Sequence, residues 1–416
     1  MTVDDLRKRL SRLGVIKGDG WKAKPPAPAV SIESLIEGQV REGETGVCFE
    51  VVHTFTSDTL QGTLSLSAWL ALDAMLIAKM GNLPIESPID IRRFVFLDTE
   101  TTGLGGVATL PFMVGLGFFN ALDDFEVHQL FLRSPSEEPA MLDFIHDMLW
   151  PDGGLATFNG RSFDVPLLLN RFILNRKSTY LGNLPHLDLL SPARRLWKRR
   201  LPSCALGALE RDILAIPRTT EDIPGWLIPT LYQQYLQTGN AREMLRVFYH
   251  NEQDILSMVV LAARLALAFG QPDIANLPAD DRLSLARWYE SQGMLEECEA
   301  AYRVALDEIS ETPQRQEALI GLAMLLKRSE RRPEAVPLWE YLADLKQDIT
   351  GHEELAKHYE WHSNDLVQAL QWTQQGISLA EAWRPGLQRT EALRALNHRH
   401  ERLAKKLSNQ NSNRSD

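Results

Sequence analysis

Cysteine is scarce in this 416-residue chain. Cys48, Cys204 and Cys298 are odd in number and far apart, which excludes both a disulfide framework and a zinc-ligand spacing and fits a reducing compartment. Long hydrophobic runs are missing too. No stretch offers the ~18 uncharged apolar residues of a membrane span, and even the most apolar segments, 68–78 and 255–269, carry Asp73 and Arg264. The opening MTVDDLRKRLSRLGVIKG alternates charge with leucine and has no apolar h-region, so the expectation is a cytoplasmic protein without a signal peptide. Net positive charge is also lacking: the balance is -11, so any contact with nucleic acid must rest on a local basic patch and bound cations. What remains is 44% hydrophobic and 24% charged, enough to bury two or three cores and unlike a disordered chain.

Residues 1–30 read as a charged amphipathic helix followed by a proline-rich linker, KAKPPAPAV, which favours extended chain. Residues 31–90 combine a strand, GVCFEVVHTF, with a helix, LSLSAWLALDAMLIAKM, and are expected to pack as an extension on the next domain. From 91 to 270 the pattern is regular. FVFLD, PFMVGLGFFN and FEVHQLFLR form three consecutive strands, and EPAMLDFIHDMLW, GLATFNG, VPLLLNRFILN and HLDLL then alternate helix and strand. That order predicts an α/β domain with a mixed five-stranded sheet and flanking helices, and it resembles the order of a ribonuclease-H-like domain.

Beyond Gln271 the pattern is helical throughout. Ala286, Ala323 and Ala356 are separated by 37 and 33 residues, and Cys298, Ala335 and Ala369 by 37 and 34. Two sets of small residues that drift together mark repeats, because closely crossing helices need small side chains at the crossing. The first unit, LARWYESQGMLEECEAAYRVAL, has Ala286, Tyr289, Gly293, Cys298, Tyr302 and Ala305 at offsets resembling the tetratricopeptide pattern. The second carries Glu330 at the glycine position. An all-α tetratricopeptide-like domain is expected over 275–408, with a disordered tail at 409–416.

The chemistry starts at FVFLDTETTG. Asp-x-Glu alone means little, since chance gives about one such pair in a chain this long, and Asp124 and Glu126 repeat the spacing in an expected hairpin turn. Asp98 and Glu100 differ in context. A strand apolar enough to be central delivers both to its C-terminal end, on one side by its period of two. Two like charges there repel unless a cation lies between them. Further acids follow: Asp164 in FNGRSFD, at a helix start, and Asp254 in FYHNEQDIL, with His250 one turn earlier on the same helical face. The plainer readings are a helix cap for Asp164 and solvated helix charges for Asp254 and Glu252.

Asp98, Glu100, Asp164 and Asp254, in this order on strand, strand, helix start and helix, resemble the DEDD superfamily of 3′-5′ exonucleases, and Asn159 and Phe163 fit its N-x-x-x-F-D motif. The resemblance implies two divalent cations, Mg2+ or Mn2+, about 4 Å apart, that activate a water and stabilise the leaving 3′ oxygen. It further implies that Asp98 bridges both ions, that Glu100 and Asp254 complete one site and that Asp164 acts on the second through water. The general base departs from the common subtypes. His250 stands at the spacing where one subtype has tyrosine, and Tyr249 at the spacing where the other has histidine. Imidazole ordinarily titrates near neutral pH, which favours His250. A more particular likeness, over about 31–269, is to the YprB-type ribonuclease-H-like proteins, carried by EDIPGWLIPTLYQQYLQTGN, HNEQD, HLDLL and LPSCALGALER. Asp188 in HLDLL reads as structural or as a modest aid to the site.

For the substrate, RRLWKRR (194–200) places Arg195 and Arg199 around Trp197, offering phosphate contacts and a stacking ring, or else a solvated helix face. Asn159, Arg161 and the turn Thr101, Thr102, Gly103 are candidates to contact the 3′ end. The leading expectation is therefore a metal-dependent 3′-5′ exonuclease on single-stranded DNA or RNA, with repeats that bind a protein partner or extend the substrate path. The alternatives are a non-catalytic nucleic-acid-binding adaptor and a structure-selective endonuclease on the same fold.

Overall fold

The computed structural model describes residues 29–415 apart from 85–89, 104–107, 218–221, 274, 311–312 and 346–348. The helix and linker expected in 1–30 thus lie almost wholly outside the described residues.

Strands β1 (Gln39–Gly43) and β2 (Gly46–Phe55) form a hairpin, and β3 (Leu60–Gln61) and β4 (Leu64–Ser65) a second, separate one. Helix α1 (Ala74–Gly81) begins where the Asp73 carboxylate accepts the Leu76 amide at 2.9 Å, an ordinary N-cap. Strands β5 (Phe94–Thr101), β6 (Pro111–Phe119) and β7 (Phe125–Phe131) make an antiparallel meander. Helix α2 (Glu138–Asp147), β8 (Gly154–Thr157), α3 (Asp164–Leu174), β9 (His186–Asp188), α4 (Leu190–Trp197), the short α5 (Leu206–Leu209), α6 (Ile228–Thr238) and the 27-residue α7 (Met244–Gly270) follow.

The main sheet has seven strands in the order β1-β2-β7-β6-β5-β8-β9, with β8 and β9 parallel to β5 and the rest antiparallel. Five of them are the expected ribonuclease-H-like sheet. The remaining two correct the expected count: GVCFEVVHTF pairs with β7 and so lengthens the sheet, where the sequence reading had an extension packed against it. An exposed β7 edge would offer unpaired backbone groups, and β2 satisfies them.

Strict alternation along β5 divides the core. Phe94 and Phe96 pack with α1, α4 and the C-terminal part of α7, whereas Val95 and Leu97 pack on the other face with α2, α3 and α6. Helix α7 is long and apolar enough to cross a membrane by length and composition, but most of it is buried in this core. It can approach the sheet because β6 carries glycines. A Cβ on Gly115 would meet Asn251 Oδ1 at 2.3 Å, and one on Gly117 would meet Ile255 Cγ2 at 2.5 Å.

The C-terminal region is three successive helical hairpins, α8 (Ala279–Ser291) with α9 (Leu295–Glu308), α10 (Pro313–Arg328) with α11 (Arg332–Leu345), and α12 (Thr350–Trp361) with α13 (Leu366–Glu381), followed by α14 (Leu387–Ser415). All six small residues at the two repeating positions are fully buried. Each hairpin turns through a left-handed residue five positions before the second small residue: Gly293 (φ 72°), Glu330 (φ 61°) and Asn364 (φ 51°). The shared turn explains why glycine suits the first unit, and it puts Glu330 in a conformation that costs a non-glycine residue about 1 kcal/mol. Helix α14 continues through most of the segment expected to be a disordered tail.

Candidate active site

Strand β5 ends at the centre of the sheet, so its last residues emerge beside β6, β8 and α7. Asp98 and Glu100 lie on the same face of the strand, one half-buried and the other 9% exposed, and the β5/β6 register shifts between Glu100 and Thr101, opposite Pro111. A bulge at this point ends the pairing and turns the chain out of the sheet. Beyond it, the Thr101 hydroxyl donates to the Gly103 carbonyl at 2.7 Å, and Thr102 Oγ1 accepts the Leu110 amide at 3.0 Å. The turn Thr101–Gly103 therefore follows directly on the carboxylates and is held by these two bonds.

Asp164 is the first residue of α3 and is 8% exposed. The position before it, Phe163, makes no side-chain cap. The Asp164 carboxylate accepts a short hydrogen bond from Thr99 Oγ1 on β5, which draws it to the strand end that bears Asp98 and Glu100. The loop leading into it is held from β9: the Asp188 carboxylate accepts the Asn159 amide (2.9 Å), the Arg161 amide (3.1 Å) and the Leu190 amide (3.1 Å). Asp188 thus positions the loop, with Asn159 in the left-handed region at φ 67°. Arg161 is exposed and donates to the His186 carbonyl at 2.6 Å. Phe163, between loop and helix, is 54% exposed.

Helix α7 supplies the opposite wall. Asn251, fully buried, donates from Nδ2 to Asp98 Oδ2 at 2.9 Å and accepts from Gln129 Nε2 at 3.0 Å. One turn further along, Asp254 stands with its Oδ2 3.6 Å from His250 Nε2. The other ring nitrogen of His250 donates to Asp222 Oδ1 at 2.6 Å, which fixes the tautomer and aims Nε2 at the acids. Tyr249 lies on the same helix, about 100° further round than His250. Neither Asn251 nor the role of Asp222 was read from the sequence. Asn251 has no periodic signature of its own, and Asp222 was visible only as part of the DIPG segment.

Electrostatics tie these groups into one locale. Burial pushes the Asp98 carboxyl well above the usual range, and the neighbouring Asp164 and Asp254 push it further, against the opposing effects of His250 and the Asn251 hydrogen bond. Glu100 is raised by burial and then by Asp98, Asp254, Asp164 and Asp222. Asp164 is raised chiefly by burial, opposed by its bond from Thr99. Two unit charges about 4 Å apart repel by about 4 kcal/mol at an effective dielectric near 20. Such a set is stable with protons on it or with cations within it. Among the described residues no three Asp, Glu, His or Cys side chains form a ready-made ligand shell, yet hard oxygen donors that raise one another's affinity for positive charge are the chemistry divalent cations require. In donor chemistry the four carboxylates suit a hard divalent cation.

Of the basic run, Trp197 corrects the expectation. It is 1% exposed and packs in the core between α4 and the sheet, because the helix turns its apolar face inward at Leu190, Ala193, Leu196 and Trp197. It cannot stack on a base. Arg199 pairs with Glu317 of α10 at 2.7 Å. Arg195 remains exposed, with its guanidinium 5.9 Å from the Trp288 ring centre.

The profile of the RNase H superfamily matches residues 95–266, from β5 to near the end of α7. The chain is also 32% identical over 293 residues to Uncharacterized protein YprB of Bacillus subtilis (strain 168), an overlap of 68% of each chain.

Proposed function

The chain belongs to the RNase H superfamily, and we propose that it is a 3′-5′ exonuclease that hydrolyses single-stranded nucleic acid with the help of two divalent cations. Membership implies nucleic-acid binding and points to nuclease chemistry. The observation that carries the finer reading is the gathering of Asp98, Glu100, Asp164 and Asp254 in one electrostatic unit faced by His250.

Each residue has a distinct task. Asp98, Glu100, Asp164 and Asp254 would hold the ions, with Thr99 and Asn251 keeping two of these carboxylates in place. The cations, when bound, supply a nucleophilic water near neutral pH and stabilise charge on the leaving 3′ oxygen. His250 accepts the water's proton at Nε2, because Nδ1 is committed to Asp222. Phe163, exposed next to Asp164, takes the stacking role expected of Trp197, and the Thr101–Gly103 turn with Asn159 and Arg161 lines the approach of the terminal nucleotide. The three hairpins beyond 275, with their resemblance to tetratricopeptide repeats, extend the domain that carries the site.

The deciding experiment incubates wild-type and Asp98→Asn protein with 5′-labelled single-stranded DNA and RNA in Mg2+, Mn2+ or chelator. A metal-dependent ladder shortening from the 3′ end, absent in the variant, is the expected result. Cuts on 3′-blocked strands would replace it with an endonuclease, and intact strands under every condition would favour the adaptor reading.

A further inference from the structure

The basic run at 194–200 is divided by the fold into two sets. Arg199 and Arg200 face the hairpins and are neutralised there. Arg200 makes a two-pronged pair with the buried Asp281 (2.8 and 2.9 Å), and Arg199 shares Glu317 with Arg287 of α8. These pairs join the nuclease-like domain to the first hairpins. Arg194, Arg195 and Lys198 form the other set. At spacings of four and three residues Arg194 and Arg195, in the last turn of α4, line up with Lys198 at its C-cap, all three are exposed, and among the described residues none makes a salt bridge.

These three cations line two adjoining concavities. One, of about 520 Å3, runs from them to Asn159, Arg161 and Asp188, the loop that leads into Asp164. The other, of about 600 Å3, runs from the same three cations to Arg287 and Trp288 on α8. The carboxylates themselves lie outside both, beyond the loop. A chain whose net charge is -11 thus leaves Arg194, Arg195 and Lys198 without a salt bridge among the described residues, on the path from its candidate active site to Arg287, which is itself paired with Glu317. Among the described residues that line that path, the one carboxylate, Asp188, is already engaged by three backbone amides.

We propose that this path is a groove for the phosphate backbone of a single strand, carrying nucleotides upstream of the 3′ end across Arg161, Arg194, Arg195 and Lys198 onto the first hairpin at Arg287. The proposal rests on the nuclease reading for its direction. It assigns the hairpins a part in holding the strand, with the Trp288 ring, 2% exposed, serving as the platform under Arg195 and not as a stacking surface. An open, sequence-neutral row of cations suits a flexible polyanion, since each phosphate neutralised releases counterions.

The test measures binding separately from cleavage. In the full-length Asp98→Asn background, which keeps the strand intact, anisotropy of a 5′-labelled single strand of about 20 nucleotides, long enough to cover sites of this kind, is followed against salt. Replacing Arg194, Arg195 and Lys198 together by Gln should weaken binding at least about tenfold and lower the slope of log affinity on log salt by about 2, from about 0.7 per phosphate contact on single strands. An unchanged slope in the triple variant overturns the groove, and so does a parent protein that binds no strand. Should the triple variant not melt cooperatively, Lys198→Gln alone should lower the slope by about 0.7, and no change there overturns the proposal as well. The two readings separate cleanly. Strands bound with the expected slope loss but never cut by wild-type protein would sink the nuclease and leave the groove standing. Cutting by wild-type protein with no slope change would do the reverse.

Discussion

Asp222 and His250, 28 residues apart in sequence, meet at 2.6 Å through the imidazole Nδ1, leaving Nε2 3.6 Å from Asp254. In the proposed reaction the pair makes Asp222 a positioning residue, with no contact to the reacting atoms required of it. Asp222→Asn offers the ring an amide that can present either a donor or an acceptor, so the tautomer and tilt of His250 are no longer imposed. The expected loss in kcat is about 10- to 100-fold, less than complete removal of a general base, with KM little changed. A structural role alone would not make the effect depend on His250. The double variant Asp222→Asn/His250→Ala should be no slower than His250→Ala, because residues acting as a unit are not additive. Additive losses would refute the pairing.

Gly115 sets how closely α7 approaches the sheet. A methyl group there would meet Asn251 Oδ1 at 2.3 Å, and Asn251 is buried on all sides, with Gln129 behind it and Asp98 in front. Gly115→Ala should therefore cost about 1–3 kcal/mol of stability through overpacking, and it should also lower activity by pushing Asn251 off Asp98. Urea denaturation and a cleavage assay read the two effects. Unchanged stability would mean that α7 shifts freely and that the glycine is not what sets its distance.

The legible part of this protein was the part with a strong period or a strong mismatch. Two carboxylates at the end of Phe94–Leu97 stood out because a central strand should not carry them, and the small residues of the hairpins stood out because they recur. Strand β2 was recognised as a strand, yet its partner is β7, some 75 residues away, and nothing local encodes that choice. Trp197 was misjudged because its basic neighbours dominate the segment, whereas the helical period of Leu190, Ala193, Leu196 and Trp197 places it inside. Asn251 escaped because a buried amide bonded to a carboxylate has no pattern in one dimension. The glycines opposite it on β6 were the available sign, since each marks a close approach by another element.

Asp98, Glu100 and Asp164 all have folded-state pKa values above the ordinary ones, with burial the leading cause of each. For an acid raised in this way the folded state binds the proton more tightly. The stabilising contribution is complete below the unfolded value, 3.8 for Asp and 4.5 for Glu, and it is lost as pH rises through the folded value. In chelator, wild-type protein should accordingly gain thermal stability relative to Asp98→Asn as the pH is lowered from about 8 to about 5. Divalent cations should act in the opposite window. At pH about 8 a cation present at about 100 times its dissociation constant stabilises by about 2.7 kcal/mol, and at pH about 5 protons compete for the same oxygens and the gain shrinks. Asp98→Asn, lacking one of the carboxylates proposed to hold the cations, should gain much less at either pH. Melting temperatures of the two proteins, with and without Mn2+ at both pH values, check all of this together. A Mn2+ shift equal in the two proteins would place the cation elsewhere, and a difference between them independent of pH would mean that repulsion among these acids is not what the ions relieve.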